Sequence, residues 1–150
     1  MRSFLIFLHL FGQIAWLGGA LSAMVIGIAV KREQKDAIGP AVRLQSAIYR
    51  ALIAPGAALV VFSGIMLTLN MYNQATAVGL SRGLMAMQGL GIVGALIILV
   101  HTLPTSTRLA RLEPAGAGAL FFDGLRRKVV MSGMVASTLG MLALVAGALR

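Results

Sequence analysis

Leu5–Gly19 reads LIFLHLFGQIAWLGG, an apolar run broken only by the imidazole of His9 and the amide of Gln13, and the apolar character continues to Val30. About 20 such residues cross the hydrocarbon core of a bilayer as a helix, so this stretch reads as a membrane span. Three more runs have that length, at about Ala51–Tyr72, Gly83–Thr102 and Val129–Leu149, and the first covers about Ser3–Val30. The expected fold is all-α, a single-domain integral membrane four-helix bundle occupying residues 1–150. Four short spans leave no room for a soluble domain.

Composition agrees. The chain has 150 residues, 59% hydrophobic and 11% charged, with a mean hydropathy of +0.91, too little polar surface to cover a soluble globule. It has no cysteine, which excludes covalent CxxCH haem attachment, thiolate-held iron–sulfur clusters and disulfides. Histidine, methionine, tyrosine and backbone groups remain as ligands. The first span runs into the small residues Gly18, Gly19, Ala20, Ser22 and Ala23 as a secretory signal does, but its length favours a retained helix.

The net charge of +9 is distributed as in a membrane protein and does not call for nucleic acid. Lys31, Arg32, Lys35, Arg43 and Arg50 follow span one, and Arg108, Arg111, Arg126, Arg127 and Lys128 lie between spans three and four. The second connection, Asn73–Arg82, carries only Arg82. The positive-inside rule then places the first and third connections in the cytoplasm and both termini outside, in a bacterial-type inner membrane. Anionic lipid headgroups are the natural partners of such connections. All four acidic residues, Glu33, Asp36, Glu113 and Asp123, sit in those connections, so no carboxylate relay crosses the membrane. Ser22, Ser63, Ser132 and Ser137 lie in spans with no base visibly paired to them.

The patch Val42, Leu44, Ile48 and Tyr49 reads as a short amphipathic helix on the membrane surface ahead of span two. In the third connection Pro104 and Pro114 are breaks, Ala115–Ala119 is a small-residue stretch, and Phe121 and Phe122 suit the interface. Gly133, Gly140 and Gly147 are seven apart and form one stripe of span four, while Gly12, Gly18, Gly19, Gly89, Gly91 and Gly94 mark spans one and three. Close helix packing explains them, with a flat cofactor between helices as the sharper alternative.

An ionisable side chain in a membrane span is costly and marks a functional site by default. Two qualify: His9, and His101 in GALIILVHTLP. His9, Gln13 and Trp16 are spaced by four and three, so they stack on one semi-polar helix face that should turn inward. His101 lies near the opposite end of a parallel span, on the order of 20 Å away along the membrane normal, so one metal cannot bind both within a monomer. Met66, Met85, Met87 and Met141 fall in the outer half with His9; Met24, Met131 and Met134 fall in the inner half with His101. His9, His101, Met66, Met85 and Met141 are therefore the candidate metal ligands, for haem iron or for Cu(I).

The pattern His9, six residues, Trp16 and Gly18-Gly19 resembles the opening helix of the HemJ-type protoporphyrinogen oxidases and of the related CopD-type copper-resistance membrane domain. RLQSAIYRALIAPGAALVVFSGIML (43–67) is similar too, with Tyr49, Arg50, Pro55 and Gly64 in place, and His101 closes span three before a basic loop. The resemblance implies a haem b scaffold with His9 as axial ligand. The lysine of those families, about three turns before the closing histidine, would fall near Leu90, and the nearest polar residue here is Gln88. Asp123 is followed by GLRRKVV, without the proline expected at the start of span four. Electron transfer, with quinone or a partner subunit, therefore replaces protoporphyrinogen oxidation as the expected role.

Three classes follow from these readings. One is a redox protein with haem b on His9, completed by a methionine or by His101 of another subunit, with Gln13 and Trp16 packing and hydrogen bonding around it. The second is copper handling through His and Met. The third is a noncatalytic accessory subunit of a larger membrane complex or a homo-oligomer.

Overall fold

A computed structural model describes residues 2–32, 35–74, 82–114 and 116–148. Most of the second connection, together with Glu33, Ala115, Leu149 and Arg150, lies outside the described residues. Among the described residues regular structure is entirely helical. In chain order the helices are α1 (Arg2–Ala29), α2 (Ile38–Ile48), α3 (Ala54–Gln74), α4 (Arg82–Leu96), α5 (Leu103–Leu109) and α6 (Ala119–Ala148). Single π-helical segments, Tyr49–Ile53 and Ile97–Thr102, join α2 to α3 and α4 to α5 without a break. The result is four helices long and apolar enough to cross a membrane.

Both π segments end two residues before a proline, Pro55 or Pro104. A proline ring clashes with the carbonyl four residues back, and a turn widened to five residues accommodates it. The Ala54 N–H accordingly donates to Tyr49 O, and the Leu103 N–H to Ile98 O. Two sequence expectations change as a result. Pro104 does not break span three, which continues as α5 to Leu109. Nor is the segment around Val42 a separate surface helix: α2 is continuous with span two, and Val42, Ser46 and Tyr49 are buried while Leu44 faces outward.

The outer surface is apolar, with Phe7, Ile14, Val25, Phe62, Val93, Val100 and Met134 all exposed. Several hydroxyls inside the spans bond their own helix, as when Ser22 donates to Gly18 O and Ser137 to Gly133 O, while Ser46 Oγ is buried without a partner. Helices in lipid gain little from burying apolar surface against one another, so contact depends on close fit. Glycine supplies it. A Cβ on Gly12 would lie 2.9 Å from Gly56 O, and one on Gly56 would lie 2.8 Å from Gly12 O, so α1 and α3 cross backbone to backbone.

The stripe on α6 receives side chains from all three other spans: Tyr49 packs on Gly133, Trp16 and Leu17 on Gly140, and Met87 on Gly147. The stripe is a packing surface, and none of its glycines faces an empty slot.

Gly12→Ala places a methyl group against a backbone oxygen and should lower the melting temperature of the detergent-solubilised protein, at a cost of about 1–3 kcal/mol. Gly18→Ala meets nothing within 4 Å, so it should leave melting unchanged or raise it through helix propensity. Equal effects of the two substitutions would refute the crossing.

Candidate functional site

His9 is on α1, one turn from the Gly12–Gly56 crossing, so its ring is delivered against α3. Its Nδ1 lies 3.1 Å from Val60 O and 3.1 Å from Ser63 Oγ. A carbonyl can only accept, so Nδ1 carries the proton and donates. Ser63 in turn donates its own proton to Leu59 O at 2.5 Å, which frees its oxygen to accept from His9. The contact therefore pairs a span serine with a histidine, which the sequence does not reveal, but its polarity is wrong for a nucleophile and base. The neutral ring keeps its lone pair on Nε2.

Gly64 clears space for the ring, since a Cβ there would come within 3.3 Å of His9 Cε1. Beside the ring is a cavity lined by His9, Gln13, Gly64, Met87, Gln88 and Gly91, among others. Its volume is about 30 Å³, and about 360 Å³ when the open side is counted. Gln13 is 6% exposed, and its Oε1 is buried with no protein donor. Gln88 is held by donating Nε2 to Thr68 Oγ1 across α3 and α4.

Of the residues singled out in the sequence, His9 and Gln13 line this cavity. Trp16 is fully buried deeper in the bundle, its Nε1 without a partner. His101 is exposed and lines a separate groove with Gly124, Arg127, Lys128, Met131 and Ser132. Met85 and Met141 face outward, and Met66 is half-buried; none of the three lines the His9 cavity. The methionine that does is Met87. Val60 O, Ser63 and Gly64 are the partners that sequence reasoning did not assign to His9. The only visible signal was a serine beside a glycine in an apolar run, and a backbone carbonyl leaves no signature at all.

Comparison with known protein families, with curated proteins and with solved structures finds no match. Among the described residues no group of three or more His, Cys, Asp or Glu side chains could hold a metal ion. Any metal centre must therefore use few protein ligands, with His9 Nε2 the best prepared of them.

An imidazole oriented by a hydrogen bond from its second nitrogen to a backbone carbonyl is the usual form of a metal-binding histidine. That donor fits haem iron and fits Cu(I). The enclosed space exceeds the minimum of about 10–15 Å³ that a water needs, so it admits a water or a bare ion. A macrocycle needs several hundred Å³, on the order of the open-sided space only.

Nitrogen-15 NMR of histidine-labelled protein should show the neutral His9 ring protonated at Nδ1 and bare at Nε2, with Ser63→Ala retaining that tautomer through Val60 O. The opposite tautomer would contradict the arrangement.

Proposed function

We propose that this chain is a multi-pass membrane redox protein whose metal centre, haem b, is held by His9. The observation that carries the reading is the 3.1 Å contact of His9 Nδ1 with Val60 O: because a carbonyl only accepts, Nδ1 donates there and Nε2 is left as an oriented, unprotonated donor inside a membrane-length helix. The resemblance of His9, Trp16 and Gly18-Gly19 to the HemJ-type and CopD-type opening helix points the same way. When bound, haem b would supply one-electron exchange at its iron.

The chain's own residues do the remaining work. Val60 O and Ser63 Oγ fix the ring plane, and electron donation through these bonds raises the basicity of Nε2. Gln13 offers a buried acceptor at the cavity wall. The apolar faces of α3 and α4 around Val61, Ile65 and Ile92 keep bulk water away. Quinone or a neighbouring subunit is the proposed electron partner, and both termini are assigned to the outer side of a bacterial-type inner membrane by the basic first and third connections.

One observation favours a second reading. The thioether of Met87 lines the same cavity as His9, and the enclosed volume suits an ion better than a macrocycle. Soft sulfur and imidazole nitrogen together suit Cu(I), which would make this a copper-handling protein.

Visible spectra before and after dithionite, a pyridine haemochromogen assay and copper analysis on wild type and His9→Ala test both readings. The proposal expects a reduced b-type spectrum in wild type, lost in the variant. A colourless wild type carrying copper lost from His9→Ala and reduced in Met87→Leu establishes the second reading instead. Protein from haem-supplied and copper-supplied cells that holds neither metal overturns both and leaves an accessory subunit.

A further inference from the structure

The metal site proposed at His9 does not use His101, yet His101 lines a larger space of its own. The groove has a volume of about 460 Å³, and its lining contains His101, Arg127 and Lys128 with no acidic residue among the described ones. Asp123, the nearest carboxylate in sequence, is exposed and does not line it. The floor is fixed where Thr102 donates to Ser132 Oγ at 2.9 Å, tying the π segment of span three to α6. Gly124 keeps the upper part open, because a Cβ there would meet nothing within 4 Å.

Below the basic residues the surface turns apolar at once. Val100 on one side and Val130, Met131 and Met134 on the other are all exposed. A ligand matched to this surface has a compact anionic head and a hydrocarbon tail. A soluble phosphate would use only the upper half.

We propose that the groove between span three and α6 is a binding site for the phosphate headgroup of an anionic phospholipid, held by Arg127, Lys128 and the imidazole of His101. The guanidinium of Arg127 offers paired N–H donors matched to phosphate oxygens, and Lys128 adds a point charge. The acyl chains then run along Val100, Met131 and Met134. The site is independent of any metal at His9. It gives His101 the role of an anion ligand.

Native mass spectrometry of the full chain, released from micelles containing phosphatidylglycerol and phosphatidylcholine, tests the site. Wild type should retain phosphatidylglycerol selectively, and Arg127→Gln/Lys128→Gln should retain on the order of tenfold less. Gly124→Leu fills the groove without changing charge and should lose the lipid as well, whereas Arg43→Gln/Arg50→Gln, in the first turns of span two, should keep it. Equal loss in the Arg43/Arg50 pair, or full retention by Gly124→Leu, would overturn the proposal in favour of diffuse attraction to anionic lipid. Displacement of the lipid by inorganic phosphate at equal concentration would overturn it in favour of a soluble anion.

Discussion

The bundle turns on Trp16. Its side chain is fully buried, and it touches all three other spans. Its backbone nitrogen would lie 2.7 Å from a Cβ on Gly56, and its indole fills the space that Cβ atoms on Gly94 and Gly140 would take, at 3.1 Å and 3.3 Å. A large flat ring seated against two glycines fixes the rotation of α1 about its own axis. His9 lies two turns earlier on the same face, so the rotation that seats the indole also brings the imidazole to Val60 O and Ser63. Packing and site are thus one constraint.

The same logic explains how few polar side chains the membrane interior tolerates and where they stand. In lipid an unsatisfied polar group has no water to turn to, so hydroxyls such as Ser22 and Ser137 bond their own helix, and Thr102 bonds across to Ser132. Gln13 Oε1, Trp16 Nε1 and Ser46 Oγ break that pattern, being buried without a protein partner, and of these Gln13 borders a cavity that His9 also lines. A buried acceptor left open beside an oriented nitrogen lone pair is the feature that separates this cavity from ordinary packing defects. At the other end of the bundle, the groove around His101 is lined by the cationic side chains Arg127 and Lys128. The two histidines therefore occupy different chemical settings.

Much of the architecture was legible because apolar length is a strong signal. The run around His9 gave a span directly, and the four-and-three spacing of Gln13 and Trp16 gave an inward face. The prolines misled. Pro104 reads as a break, yet a π turn absorbs it, since the helix has neighbours that reward continuation. Val42 and Tyr49 read as a surface patch for the same reason: amphipathic spacing does not tell burial against α1 and α6 from contact with lipid headgroups. The partners of His9 were illegible in a stronger sense. Val60 contributes a carbonyl that every residue has, and Met87 stands out from Met66, Met85 and Met141 only by which side of a helix meets the cavity.

The metal centre proposed on His9 stands beside the Trp16 wedge. The chain has a single tryptophan, and seven residues of helix put it about 10 Å along the axis from His9, well within energy-transfer range of haem. Tryptophan emission, followed while haem is titrated into metal-free protein, reports on that spot. Haem on His9 gives saturable quenching in wild type and none in His9→Ala. Emission that haem leaves unchanged, or quenching that is the same in His9→Ala, would rule out haem on His9.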